Sequence, residues 1–362
     1  MYFINKLKNY KKLNLIIITS ILFLNTILTL NLHAVSFKVS EIEVSEQFDL
    51  NFNKKKVFDK AFNKAFSYLT SMVVTSSGKQ KLKNVKLSTI KSLIDSFNIM
   101  DEKFINNKYY ASFNVSFNKK NTLKFFEENN IFPSIPKRLD ILFIPILINT
   151  NNEKLMIFNE NPIYSNWNKN YKDYELLNYI LPNEDIEDRE ILKKNIISLE
   201  DYNFEYIIEK YDIKNFIINI VYITNNQANV YSKIKLKNEN KIINKSYQDV
   251  DLNNQESLNK FIQELKITFE DSWKNANIIN TSIKLPLTVF LPSKENVKVK
   301  SFENLISELD LISDYYIINF NNENIYYKII YNGSPDKFLK EVENHGFLIT
   351  KSEKSWKIEW KI

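Results

Sequence analysis

Residues 139–148 read LDILFIPILI, with Asp140 as the only charge, and this run decides the fold class. It is too short for a buried helix and lacks the alternation of a half-exposed strand, so it reads as a fully buried strand. Residues 216–223, FIINIVYI, read the same way. Downstream, Leu258, Phe261, Ile262, Leu265 and Phe269 recur at three- and four-residue spacing and predict an amphipathic helix that packs against a sheet. Buried strands alternating with helices of this kind predict an α+β or α/β protein. Three small modules with mixed sheets and packed helices follow from the rest of the chain.

The first module, residues 35–150, precedes and includes the quoted run. Ile42 and Val44 alternate with Glu41, Glu43 and Ser45, which predicts a strand over 37–48. Phe58, Ala61, Phe62, Ala65, Phe66, Leu69 and Met72 predict a long helix with one apolar stripe, ended by Thr75-Ser76-Ser77-Gly78. Ile90, Leu93, Ile94 and Phe97 predict a second helix by the same spacing. Residues 99–105 and 109–117 predict a hairpin. Asn106-Asn107 tolerates the left-handed turn, and Tyr109, Ala111, Phe113, Val115 and Phe117 share a face. A short helix with Leu123 and Phe126 leads to Pro133 and Pro136.

The second module, 151–280, is α/β in character. It has a helix near Leu177 and Ile180, helical spacing over 202–211, and a turn at Asn225-Asn226 into a strand on which Val230, Ile234 and Leu236 share a face. The third, 281–362, reads strand, helix, strand, strand, helix, strand, with the last stretch long enough to fold back as a hairpin. Its second helix has Ser334 as cap, Pro335 in the first turn, Asp336 at the positive end and Gly346 at the stop. This is the ferredoxin-like βαββαβ order, which by itself carries no chemistry.

Residues 1–34 stand apart. Lys6, Lys8, Lys11 and Lys12 precede an apolar run that ends at His33-Ala34. Basic region, apolar region and small residue are the order of a secretory signal peptide, cut after Ala34. A retained membrane anchor is the competing reading, because residues 15–32 span roughly the 18 needed to cross a bilayer. Either way the remaining chain is expected outside the inner membrane, in a bacterial periplasm.

Composition excludes several chemistries. The 362-residue chain has no cysteine, which removes disulfides, thiolate metal sites and thiol nucleophiles. Its three glycines, Gly78, Gly333 and Gly346, are too far apart for a phosphate-cradling loop. The net charge of +6 comes largely from the leader lysines, and Arg138 and Arg189 are the only arginines, so no nucleic-acid surface is expected. No motif asks for a cofactor or a metal.

Two constellations remain as candidates. Glu184, Asp185, Glu187 and Asp188 form a dense carboxylate run, fit in principle for a weak cation site or for general acid and base work, but equally the acidic start of a helix after Pro182. Tyr164, Trp167, Tyr171 and Tyr174 cluster in a polar segment and are the candidate patch for a partner or glycan. The lone histidine beyond the leader, His345, sits beside the Gly346 helix stop, where an imidazolium stabilises a helix end.

Several of these features together resemble the proteobacterial exported family called domain of unknown function 2066. They are the leader, the strand and long helix ending in Thr75-Ser76-Ser77-Gly78, the hairpin, and Pro136-Lys137-Arg138 before an apolar strand. Leu181-Pro182 with Asp185 and Asp188, and Lys210-Tyr211-Asp212 before Phe216-Ile217-Ile218, are similar to that family as well. The resemblance implies an envelope location and supplies no catalytic residues. The expected function is a non-enzymatic binding or assembly module with envelope proteins as partners, touching a membrane only through residues 15–32 if the leader is retained. The alternatives are a carboxylate-dependent hydrolase built on the acidic run and a carrier of hydrophobic ligands, which needs an apolar cavity.

Overall fold

The computed structural model describes residues 36–169, 171–237, 239–352 and 355–360. The leader, as signal peptide or anchor, lies outside the described residues. Fold class is mixed α/β, with three sheets. The described chain forms two compact units, one of Ser36–Leu285 with Tyr331–Phe338 and the other of Pro286–Ile330 with the chain from Leu339 onward.

The first sheet is antiparallel, with β3 (Lys108–Asn118) between β1 (Ser36–Gln47) and β2 (Ile94–Ile105). Asn106 and Asn107, at φ of 52° and 56°, make the hairpin turn between β2 and β3. The alternate residues of β3 from Tyr109 to Phe117 are buried under α1 (Lys54–Val73), whose Phe58 and Phe66 meet Phe113 and Phe117. Helix α1 stops at Val74, and Thr75 instead caps a new short helix, α2 (Ser76–Lys81). Helix α3 (Leu87–Leu93) is shorter than the spacing predicts, because Ile94 and Phe97 belong to β2 and pair with Phe117 and Val115. Two turns of three-four spacing do not by themselves separate a helix from a strand, and the apolar face of β3 decided it. Helix α4 (Lys119–Glu128) closes this layer.

The LDILFIPILI run is β4 (Leu139–Asn149), the parallel neighbour of β7 (Phe216–Thr224). Although it closes the first module in the sequence, its partners belong to the second sheet, whose order is β5-β4-β7-β8-β9. Strands β5 (Lys154–Met156) and β6 (Leu177–Ile180) share the other edge of β4. Residues 177–180 are thus a strand, not the helix their spacing predicts: Leu139–Leu142 offers parallel pairing to them. Strands β8 (Gln227–Leu236) and β9 (Glu239–Tyr247) continue antiparallel, and β9, polar and mostly exposed, has no apolar signature in the sequence.

Both faces of this sheet are covered, as buried parallel strands require. Ile141, Phe143 and Leu147 face a core shared with Trp167 and with α8 (Gln255–Asn275), reached after α5 (Pro162–Asn166), α6 (Ile186–Lys194) and α7 (Glu205–Glu209). Leu142, Ile144, Ile146 and Ile148 face the opposite core with Leu192 of α6 and Ile207 of α7.

The other unit is built on a sheet ordered β11-β12-β10-β14-β13. Its elements are β10 (Leu285–Pro292), α9 (Asn296–Glu308), β11 (Ile312–Phe320), β12 (Asn324–Tyr331), the part of α10 (Pro335–Asn344) from Leu339 onward, β13 (Phe347–Lys351) and β14 (Trp356–Trp360). The βαββαβ order is present, extended by a strand. The terminal hairpin returns β14 between β10 and β13, parallel to β10. His345 Nδ1 lies 2.7 Å from the Glu341 carbonyl at the end of α10, and Gly346 adopts φ of 84°. Both are helix-stop roles.

Candidate functional site

The four acidic candidates lie at the start of α6, each engaged by a neighbour in the chain. Asp185 caps the helix, accepting from the backbone N–H of Glu187 and Asp188. Lys210 donates to Asp185 at 2.9 Å and to the buried Asp188 at 2.6 Å. Arg189 clamps Glu184 at 2.7 Å and Glu160 at 2.9 Å. Glu187 accepts from Tyr206. Lys210 and Arg189 thus pair with three of the four carboxylates, and among the described residues no group of three or more acidic or histidine side chains is placed to hold a metal ion.

The Lys210 hydrogen bond and the two backbone N–H groups hold the Asp185 carboxyl below its usual value. A depressed carboxyl stabilises the fold above its unfolded pKa, and that contribution is lost as pH falls through the folded one. Lys210→Met is therefore expected to lower stability at pH 7 and to flatten the loss below about pH 4. Melting temperatures of both proteins between pH 7 and 2.5 check this, and parallel acid limbs would refute it.

The aromatic candidates do not form one patch. Tyr164 and Trp167 are on opposite faces of the second sheet. Trp167 is fully buried, stacked on Phe143 at 3.9 Å. Tyr164 donates to the Pro182 carbonyl at 2.8 Å. Tyr171 is exposed and accepts from Arg138, while Tyr174 packs on Tyr68 at 5.3 Å. Tyr174 lines a surface cavity.

That cavity is a cleft of about 370 Å³ between the end of α1, α2, residues 172–175 and α8. Five lysines and three carboxylates line it, an excess of two positive charges. Lys266, Glu270 and Lys274 come from one edge of α8, at i, i+4 and i+8, beside its apolar stripe. All three are buried. Lys266 pairs with Glu175 at 2.9 Å, and its ammonium lies over the rings of Trp167 and Tyr179 at 5.8 and 5.7 Å. Glu270 Oε1 accepts from the backbone N–H of Leu176 and Leu177 at 2.9 and 2.8 Å. Its Oε2 is buried with no hydrogen-bond partner among the described residues.

Lys274 is 6% exposed, and its side chain forms no hydrogen bond or ion pair among the described residues. Burial lowers its pKa, with Glu270 and Asp271 opposing. Burial also raises the Glu270 carboxyl against the pull of the Leu177 N–H, Lys274 and the Leu176 N–H. Asp271 is turned to Ser76, accepting from its N–H at 2.9 Å and its hydroxyl at 2.5 Å. Lys79 of α2 donates to Ser71 Oγ at 2.6 Å, and its pKa is lowered first by burial, then by Lys274 and Lys172.

Apart from Tyr174, no residue lining this cleft was a candidate from sequence. The one legible signal was the Lys266-Glu270-Lys274 spacing on the flank of an apolar stripe, which reads as a solvated face until something covers it. The apolar pocket under β4, beside Phe158 and Leu192, holds about 10 Å³, near the size of one water.

No protein-family model and no curated protein matches this chain.

Proposed function

We propose that the chain is a non-catalytic binding module of the bacterial cell envelope whose ligand is a small organic anion seated in the lysine-lined cleft. Its location is supported by the leader's order of lysines, apolar run and Ala34. Lys274 carries the ligand reading. A buried ammonium that no hydrogen bond or close ion pair satisfies is costly, and a group kept at that cost is a functional candidate. A carboxylate or phosphate oxygen beside Lys274 and Lys79 supplies the missing contact. At 4 Å such a contact is worth about 4 kcal/mol in a partly screened protein environment.

Calorimetric titration of the full chain with inorganic phosphate and with malonate tests the reading. Saturable binding that weakens with added salt is expected, with affinity falling about tenfold or more in Lys274→Met. Absence of saturable binding, or equal affinity in the variant, would overturn the anion site. Cell fractionation with mass spectrometry of the amino terminus tests the location. A chain starting at Val35 or Ser36, or an intact Met1 in the membrane fraction, agrees with it, and an intact chain in the cytosol does not.

A further inference from the structure

We propose that the outer edge of β11 is a dimer interface, on which a second copy of this chain adds its own β11 antiparallel and joins the two sheets into one. The contrast among the sheet edges of this protein carries the inference, which is independent of the anion cleft. Strand β11, ISDYYIINF, ends the order β11-β12-β10-β14-β13, so one side of its backbone meets no strand among the described residues. A free row of N–H and C=O groups is a template for further pairing, and natural sheets blunt such edges with charges, brevity or bulges.

The other edges are blunted in these ways. Strand β1 carries Lys38, Glu41, Glu43 and Glu46, and β9 carries Lys241 and Lys245. The pairing of β2 with β3 shifts register twice, and β2 bears Asp101-Glu102-Lys103. Strands β5 and β6, which share one edge of the second sheet, have three and four residues, and β13 has five and ends on Lys351. Strand β11 is nine residues long with Asp314 as its only charge, and residues 315–320 have none. On it Tyr316, Ile317, Ile318 and Phe320 are 42–65% exposed. Single exposed apolar residues are ordinary, but four within five positions on one bare edge form a patch.

The absence of charge also identifies the occupant. A strand of different sequence is selected by charges or pockets along the edge, and residues 315–320 offer no charge to select with. A copy of the same strand needs none. A two-fold axis at Ile317 sets Tyr316 opposite Ile318 of the partner subunit, an aromatic against a β-branched residue, which is a favourable cross-strand pair. It sets Asp314 opposite Phe320 of the partner subunit, so the one charge on the strand does not face its own copy. Such an interface is isologous and closed, which stops assembly at two chains.

Sedimentation of the full chain from about 1 to 200 µM tests this, a range that brackets the weak affinity of a small interface. A dimer that forms with rising concentration is expected in the parent, and its loss in Ile317→Lys, which places two like charges on the axis. A parent that stays monomeric throughout, or grows past the dimer, would overturn the inference. So would a dimer that survives Ile317→Lys, because association would then run through another surface or through the leader. A second measurement does not depend on that variant folding. The chain has no cysteine, so Ile317→Cys adds a single thiol at the axis, where opposed Cβ atoms come within about 4.5–5.5 Å and a small shift permits a disulfide. Mild oxidation is expected to link this variant into dimers and to leave Ile242→Cys, exposed on the blunted edge β9, unlinked. Equal linking of the two would show random collision and overturn the assignment.

Discussion

Lys266→Met is expected to lower folding stability by about 3–5 kcal/mol. Lys266 and Glu175 are 3% and 5% exposed and sit 2.9 Å apart, so each charge depends on the other for compensation. Removing the ammonium strands Glu175 in an interior that also holds Glu270, and one of the two must take up a proton or draw in water. The pair as a whole has a different value from either half. Its attraction only offsets what it cost to take both groups out of water, so Lys266→Met combined with Glu175→Leu is expected to recover most of the loss. Urea denaturation followed by tryptophan fluorescence reports on this unit, since Trp167 and Trp273 both lie in it. A single variant costing under about 1 kcal/mol, or a double variant as poor as the single, would show that the pair is solvated in solution.

The second large effect is at Trp167. Trp167→Ala is expected to cost about 3–5 kcal/mol, the range for deleting a large aromatic from a packed core. The indole is fully buried between β4 and α8, stacked on Phe143 and edge-on to Tyr179 at 5.2 Å. The cavity left behind would also remove one ring from under the Lys266 ammonium, so cleft and core are coupled there. Tyr171→Ala, four residues on and exposed, is expected to change stability by no more than about 0.5 kcal/mol. Equal effects at the two positions, measured by the same denaturation, would mean that the aromatic cluster behaves as one surface after all.

These two residues show how far local pattern reaches. Trp167 and Tyr171 stand in the same polar stretch, and nothing in their neighbours distinguishes an anchor from a surface ring. Burial of Trp167 is settled by Phe143 and Phe269, which are distant in sequence. The acidic run was more legible. Asp185 followed by Glu187 and Asp188 is a helix-start pattern, and it caps α6. Its cationic partner Lys210 lies 22 residues beyond Asp188 and was invisible to it.

What composition and periodicity determined on their own is the content of the layers. Residues 139–148 and 216–223 are so uniformly apolar that only a doubly covered strand satisfies them, and Asn106-Asn107 between alternating residues dictates its turn, because these signals are local and large. What only tertiary structure decided is which side chains share a space. Register turned Leu177–Ile180 from a predicted helix into a strand beside β4. Folding brought Lys79, Glu175 and Lys274 to one cleft although nearly 200 residues separate the first from the last. A lysine's chemistry depends on what covers it and what charge stands beside it, and neither is a property of its neighbours along the chain.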